Sequence, residues 1–509
     1  MPKNTQKIKI FEEVRLVSDT LQNAGFEAYL VGGCVRDLLR GEKPKDWDIT
    51  TNARPEQIQG LFEHAFYENE FGTVGVVNDN TNDPTLKTIE VTTYRLESTY
   101  SDSRHPDNVS FSSKLEDDLK RRDFTINAVA LGLPVGAKDI DGFSTEKDSP
   151  KGHLVDLFGG IKDIKDKTIR TVGRPEDRFG EDALRILRAV RLATELGFTV
   201  SRETGEAIKK MAQNIDAVAK ERVRDEFVKI IMSDNPKSGL ELAHELGLLH
   251  YILPEIEWGI GVEQNQAHSY TVWEHGLRTL QATADKKWEL EVRLAALFHD
   301  SAKPKARAWE DKKNDWSFHG HEVAGARIAK TALQRLKFAS AVIDKVYKLV
   351  RWHMFFSDTE QITHSAVRRL MRNVGYENVS DLMNLRVADR IGTGRPKEKP
   401  YRFRKYQAMI EEVSRDPVSV GMLKIDGSRI MEVTHETPGP RVGWILHALL
   451  EEILDDPANN TPEYLEKRTL ELIKLSDNEL RKLGKAGEER REEEEEKEVK
   501  KIRGKHWVE

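Results

Sequence analysis

EAYLVGGCVRDLLRG at 27–41 and KDWDITT at 45–51 decide the fold of the N-terminal third. AYLV reads as a short strand, it runs into two glycines, Gly32 and Gly33, and an apolar helical repeat begins directly behind them. Glycines at such a junction let backbone amides come close to an anion, and the start of the following helix adds a partial positive charge, so a triphosphate fits there. Asp46 and Asp48 follow with D-x-D spacing. On an extended strand, side chains two apart point to the same side, so the two carboxylates together can hold a divalent metal. Arg36, one helical turn past the glycines, is placed to pair with phosphate oxygens or with its neighbour Asp37.

Outward from this stretch, residues 8–24 carry apolar positions at helical spacing. FGTVGVV (71–77), TIEVTTYR (88–95) and INAVALGL (126–133) read as strands alternating with short helices. The first part of the chain is therefore α+β. Past Phe158 the pattern changes to amphipathic helices, in EDALRILRAVRLATEL, ERVRDEFVKIIM and LELAHELGLLHYIL, with little further strand signal. Clusters of Gly and Pro near 133–160, 255–262, 395–400 and 435–440 mark the joints. The run EERREEEEEKEVKK at 488–501 reads as a solvated helix or frayed tail.

A chain of 509 residues calls for several domains, and 38% hydrophobic with 33% charged residues describes a soluble globular protein. Neither a long apolar span nor a secretory leader is evident, so no membrane is expected and the cytoplasm is the default address; the single cysteine, Cys34, agrees with a reducing compartment. The net charge of -6 does not exclude a nucleic-acid partner, because residues 162–191 are dense in Arg and Lys while part of the acidic excess lies in the C-terminal run.

In-line phosphoryl transfer with two magnesium ions needs several rigid oxygen ligands, and Glu90 in TIEVTTYR is the candidate third acid. RRDFTINA (121–128) adds Arg121 and Arg122 for phosphate or backbone contact, and Asp123 and Asn127 share a face on helical spacing. In order and spacing, VGGCVRDLLRG, KDWDITTNARPEQI, EVTTYR, RRDFTINA and EDALRILRAVRLATELGF resemble the class II tRNA nucleotidyltransferase and poly(A) polymerase family over residues 25–235. That resemblance implies a polymerase-β-like nucleotidyltransferase head in which Asp46 and Asp48 bind magnesium, assisted by Glu90. It places Gly33, Arg36 and Arg122 near the triphosphate, and Asp123 and Asn127 at the ribose.

Glu181, Asp182 and Arg185 stand at the start of an amphipathic segment, with Asp182 and Arg185 three apart and so expected on one helix face. Arg supplies a rigid fork of donors and Asp paired acceptors, a set able to read the edge of a base. The resemblance makes these three the selectors of CTP and ATP, with Arg188 and Arg191 extending the basic face toward phosphate or RNA. The segment YSDSRHPDNVSF (100–111) is similar to the flexible loop of enzymes adding all of CCA to tRNA, and 68–80 lacks the arginine-rich signature of bacterial poly(A) polymerases. Two other readings stay open: a poly(A) polymerase, and an RNA-binding or signalling phosphohydrolase with an inactive head.

Beyond residue 265 come His275, the adjacent His299 and Asp300, then His321, His353 and Asp389, all metal-ligand types. Their order resembles the HD superfamily of metal-dependent phosphohydrolases. The resemblance makes His275, His299, Asp300 and Asp389 the ligands, with His321 and His353 as extra ligands of two-metal members. HDSAKP (299–304) departs from the superfamily after the dyad but keeps Lys303 and Pro304. Histidine ligands favour nickel, cobalt, manganese or iron over magnesium. The expected organisation is a head (1–148), an all-α neck and body (149–262), an HD domain (263–395), a helical tail (396–475) and a charged extension (476–509). Expected partners are tRNA, CTP and ATP, with the oligomeric state left open.

Overall fold

The helix-period and strand-period patterns separate as the sequence suggests. The computed structural model describes residues 8–69, 72–97, 109–137, 139–140, 142–146, 151–266, 269–354, 362–395 and 398–484. Most of the 100–111 loop, residues 70 and 71 of the 68–80 stretch, and the 488–501 run lie outside the described residues. The chain divides into two compact units, Met1–Ile230 with Glu241–Tyr251 and Ile231–Leu240 with Ile252–Glu509.

In the first unit the strands of the main sheet are β1 (Ala28–Val31), β2 (Asp48–Thr51), β3 (Ala65–Asn69), β4 (Thr73–Val77), β5 (Thr88–Thr93), β6 (Val129–Gly132), β7 (Phe143–Ser144) and β8 (Gly152–Asp156). Among the described residues they form one mixed sheet in the order β7-β8-β6-β1-β2-β5-β4-β3. β2 and β5 run parallel, while β1 pairs antiparallel with both β2 and β6. The alternation of strand side chains sorts the apolar residues between two cores. Leu30, Ile49, Val91 and Leu131 join a large cluster with Val14, Val17 and Leu21 of α1 (Glu12–Asn23), Val35 of α2 (Gly33–Arg40) and Ile58 of α3 (Pro55–Leu61). Their neighbours Val31 and Ala130 face the other way and pack with Tyr94 and with Leu115 and Leu119 of α4 (Leu115–Lys120). Full burial of each such aliphatic side chain is worth about 1.5–3 kcal/mol.

Helices follow: α5 (Gly160–Lys165), α6 (Pro175–Glu181), α7 (Leu184–Leu196), α8 (Arg202–Met211) and α9 (Lys220–Met232). The chain is interrupted between α6 and α7. Asp182 has extended geometry, φ -143° and ψ 105°, so the E-D-x-x-R motif spans a helix-to-helix junction and does not open one continuous helix. INAVALGL also divides: Thr125–Asn127 is a 3₁₀ turn and the strand starts at Val129.

The second unit contains α10 (Val272–Asp285), α11 (Leu290–Phe298), α12 (His321–Arg335), α13 (Ser340–Trp352) and α14 (Val379–Gly392). α14 lies very close to α10: a Cβ on Gly392 would sit 2.1 Å from Thr279 Oγ1. Strand structure does recur here. β9 (Ala308–Glu310) and β10 (Asp315–Ser317) form a hairpin, with Asn314 at φ 48° in its turn and Trp309 edge-on to Trp316. Three-residue strands are too short to show a period-two pattern in sequence, and the cross-strand tryptophan pair supplies contact that local propensity does not reveal. No helix among the described residues is long and apolar enough to cross a membrane.

Candidate functional site

The head acids are organised by one buried side chain. Trp47 is 1% exposed and packs edge-on to Phe11, which turns the flanking residues away from the core. Asp48 opens β2, half-buried, while Asp46 lies exposed in the bend just before it. In the parallel pairing, Asp48 is opposite Glu90, so these two side chains share a sheet face. The residues on either side of Glu90, Ile89 and Val91, belong to the core behind. Among the described residues, the groups whose ligand atoms lie within 4.8 Å of one another are in the second unit, so Asp48 and Glu90 share a face with Asp46 in the bend beside it, and the three head acids are not brought to that separation.

Gly32 is the residue that the junction requires. Its φ of 76° with ψ of -139° suits glycine alone, and a Cβ there would be 3.0 Å from Asp48 Oδ2 and 3.3 Å from Arg122 Nη1. The backbone turn, a metal-type carboxylate and an arginine thus meet at one point. Gly33 begins α2. Arg36 takes the expected neighbour Asp37 and, beyond expectation, the side-chain amide of Asn127. Its Nε and Nη2 donate to Asp37 at 2.9 and 3.1 Å, and its Nη1 donates to Asn127 Oδ1 at 3.0 Å. Arg121 and Arg122 are oriented by Asp118, a fully buried carboxylate that sequence reasoning missed. Burial works to raise that carboxyl, and the two guanidiniums outweigh it and lower it.

Asp123 and Asn127 meet as expected, Asn127 Nδ2 donating to Asp123 Oδ1 at 3.3 Å across the 3₁₀ turn. Arg188 of α7 grips the other carboxylate oxygen through Nε at 2.9 Å and Nη2 at 2.7 Å. Burial alone would raise Asp123; Arg188 and Arg185 override it and bring the carboxyl down to about 2.

Asp182 and Arg185, expected on one helix face, take separate sets of partners. Glu181, at the end of α6, takes Arg185 and Arg178. Asp182 accepts from the Leu184 amide at 3.0 Å and from Arg222 Nη2 of α9 at 2.7 Å. The cause is the break in the helix, which removes Asp182 from the face that carries Arg185. Arg222 and Glu226, four apart in ERVRDEF and therefore on one helix face, were legible as neighbours of each other but not as partners of α7. Glu226 is 4% exposed and holds Arg191 at 2.7 Å.

In the second unit, all six expected ligands converge. His275 Nε2 lies 3.0 Å from His299 Nε2, 3.3 Å from Asp300 Oδ2 and 3.2 Å from Asp389 Oδ1. His321 Nε2 is 3.3 Å and His353 Nε2 3.8 Å from the other oxygen, Asp300 Oδ1. Asp300 therefore belongs to two ligand groups, His275–His299–Asp300 and Asp300–His321–His353. The backbone sets the tautomers: the Nδ1–H groups of His299, His321 and His353 donate to the carbonyls of Ala296, Phe318 and Val350 at 2.8, 2.6 and 2.7 Å. That leaves each Nε2 as a lone pair aimed inward, and those of His321 and His353 are buried without a hydrogen bond. Burial disfavours charge on His275, but its bonds to Asp300 and Asp389 more than reverse this and raise it to about 9. A buried, mixed nitrogen and oxygen set with orphaned imidazole lone pairs fits a transition-metal pair.

Lys303, missed as a participant, reaches Asp300 Oδ2 at 2.6 Å and is anchored by Gln264 Oε1 at 2.6 Å. A cleft of about 960 Å³ opens over the cluster, lined by Arg386, Arg390, Arg395 and Arg402 and by Trp316 of the hairpin. Arg386 and Arg390 flank the expected ligand Asp389, while Arg395 and Arg402 come from segments without a motif and are gathered by folding.

The family described as Poly A polymerase head domain matches residues 28–170, the probable RNA and SrmB-binding site of polymerase A matches 197–258, and the HD domain matches 272–393. A CCA-adding enzyme of Lactobacillus delbrueckii subsp. bulgaricus is 30% identical over 463 residues, covering 90% of this chain and 97% of that protein. The chain belongs to the CCA-adding enzyme family. Stronger identity is confined to a shorter region: the CCA-adding enzyme of Leuconostoc mesenteroides is 40% identical over 292 residues, 56% of this chain and 67% of its own length. That of Ligilactobacillus salivarius is 44% identical over 232 residues, 45% of this chain and 52% of its own length. The chain thus spans about half to two thirds of those two relatives. Among solved CCA-adding enzymes, the Bacillus stearothermophilus complex with CTP superposes with a TM-score of 0.64 at 27% identity, over 91% of this chain and 97% of that one. The Thermotoga maritima enzyme complexed with tRNA shares the fold, with a TM-score of 0.52 at 18% identity over 92% and 97% of the two chains.

Proposed function

We propose that this chain builds the 3′ terminus of tRNA, adding CCA from CTP and ATP without a nucleic-acid template. The observation that carries the reading is the in-register placement of Asp48 and Glu90 on one sheet face beside the Gly32 turn. An all-oxygen set there suits magnesium, which when bound stabilises the charge of in-line displacement at the α-phosphorus. Asp46, Asp48 and Glu90 are its ligands in this reading. The open backbone at Gly32 and Gly33 receives the triphosphate, with Arg36 and Arg122 beside it. Asp123 and Asn127, already joined by a hydrogen bond, address the ribose.

Base choice falls to Asp182 and Arg185, with Glu181 and Arg188 holding their surroundings. Cytosine and adenine share an exocyclic amino donor where uracil and guanine carry a carbonyl acceptor, so a carboxylate beside a guanidinium discriminates the first pair from the second. The relatives named for CCA addition support this reading over poly(A) synthesis. The HD cluster is the second centre, a phosphohydrolase using nickel, cobalt, manganese or iron on phosphate esters of RNA 3′ ends. Its arginine-lined cleft supports an anionic substrate. In this reading the chain is divided into head (1–148), neck and body (149–262), HD domain (263–395), tail (396–475) and extension (476–509); the match at 28–170 runs past residue 148 into the neck, while those at 197–258 and 272–393 fall within the body and the HD domain.

The deciding experiment supplies tRNA lacking CCA together with CTP, ATP and magnesium, and sequences the products. Discrete CCA ends are expected. Long tails from ATP alone would install the poly(A) reading, and no addition at all would leave the HD centre as the active one.

A further inference from the structure

We propose that the ring of Phe66 is the platform on which the 3′-terminal base of the RNA acceptor stacks, so that the acceptor's 3′-hydroxyl comes to lie over Glu90. The proposal rests on the reading of the head as the CCA-adding centre. It starts from the strand register. Val31, Asp48, Glu90, Gly75 and Phe66 stand opposite one another across β1, β2, β5, β4 and β3, and therefore form one row on the sheet face that carries the acids. The row ends in an aromatic side chain that is 45% exposed.

Phe66 leans toward the acids. A Cβ built on Gly75 would lie 2.5 Å from its Cζ and 2.8 and 3.1 Å from its two Cε atoms, so the tip of the ring covers Gly75. It thereby reaches across one strand spacing, about 4.8 Å, toward the exposed Glu90. Gly75 is not among the glycines with positive φ, so its backbone would take any residue. Glycine inside a strand is otherwise unfavourable and marks a place that another group approaches closely; here that group is the ring. The result is a flat apolar shelf beside the third acid.

The chemistry assigns the occupant. In the proposed reaction the triphosphate sits at the β1 end of the row, at Gly32 with Arg36 and Arg122. In-line displacement keeps the attacking oxygen and the departing pyrophosphate on opposite sides of the α-phosphorus. The acceptor strand therefore enters from the other end, over β5, β4 and β3, where Phe66 lies. During CCA addition the terminal base of the acceptor changes with each nucleotide added. A site that read hydrogen bonds would fail for some of those bases, whereas an aromatic face accepts all of them, because every base has a π-face.

The test measures KM for tRNA and KM for the nucleotide separately in the full chain, with wild type, Phe66→Leu and Phe66→Trp. The acceptors are tRNA ending before CCA, supplied with CTP, and tRNA ending in CC, supplied with ATP. Phe66→Leu keeps an apolar cover over Gly75 and removes the flat face. It should raise KM for tRNA about tenfold on each acceptor, the scale of one base–aromatic stack, and leave KM for CTP and ATP unchanged. Phe66→Trp should hold both values near wild type. A ring that served only as cross-strand cover would change stability without this split between the two substrates. Wild-type KM for tRNA in Phe66→Leu on either acceptor, or a rise in nucleotide KM equal to that for tRNA, overturns the proposal and leaves the CCA-adding reading in place. Absence of addition by the wild-type chain overturns that reading and the proposal with it. Should Phe66→Leu fail to fold by circular dichroism, Gly75→Ala displaces the ring from the other side and is read by the same two outcomes.

Discussion

Arg188 and Asp123 join α7 to the head through two hydrogen bonds on one carboxylate oxygen, at 2.7 and 2.9 Å. The same carboxylate reaches Asn127 through its other oxygen, and Asn127 reaches Arg36 behind the glycine turn. A continuous chain of polar contacts thus links α7 to the start of α2 behind the Gly32 turn, and its strength is set by ionisation.

Acid should loosen this link. Asp123 ionises at about 2 in the fold against an ordinary 3.8. A carboxyl with a depressed folded value stabilises the protein fully above its unfolded value, and that contribution disappears as pH falls from about 4 to about 2; here it amounts to about 2 kcal/mol. Urea unfolding at stepped pH should show an acid limb in that window. In Arg188→Ala the limb should begin at higher pH, and an unmoved limb would remove the pair from the account.

Asp48→Ala should reduce nucleotide addition about a thousandfold or more while leaving the circular dichroism unchanged, because the half-buried carboxylate is lost from the face it shares with Glu90 and not from the core. Asp46→Ala should behave likewise. Addition within about tenfold of wild type in a folded variant would take the metal role from these residues.

His299→Ala combined with Asp300→Ala should remove transition metal from the purified protein, read by elemental analysis, and abolish metal-stimulated hydrolysis of a generic phosphoester. CCA addition should persist, since its proposed ligands are a separate set. Equal metal content in wild type and the double variant would show that the cluster does not bind the ion.

Gly392→Ala tests the close approach of α14 to α10. The added Cβ would lie 2.1 Å from Thr279 Oγ1 and 3.2 Å from His275 Nδ1, so one helix must move and Asp389 with it. A loss of about 1–3 kcal/mol in the unfolding of the HD portion is expected, with weaker metal retention. A variant as stable as wild type would show that the helices are not held at this distance.

What the sequence determined by itself was the alternation of elements and the local chemistry. Period-two and period-3.6 patterns are written residue by residue, so the α+β head, the helical remainder, the glycine turn and the D-x-D pair were legible before any packing was known, and the resemblance to the HD superfamily singled out the ordered His and Asp residues. The tertiary structure decided who meets whom. Asp182 was expected beside Arg185 because three-residue spacing implies a shared face, yet a break in the helix turned it to Arg222, forty residues on. Asp118 carries no motif, Lys303 was noted only as a residue kept behind the His299–Asp300 dyad, and the arginines of the HD cleft stand outside the ligand positions; their roles come from being folded against a buried charge or a common cleft. The hairpin with Trp316 was invisible because three residues do not make a pattern. Spacing specifies neighbours only within one regular element; beyond it, partners are chosen by which surfaces burial brings together and by the cost of leaving a buried charge unpaired.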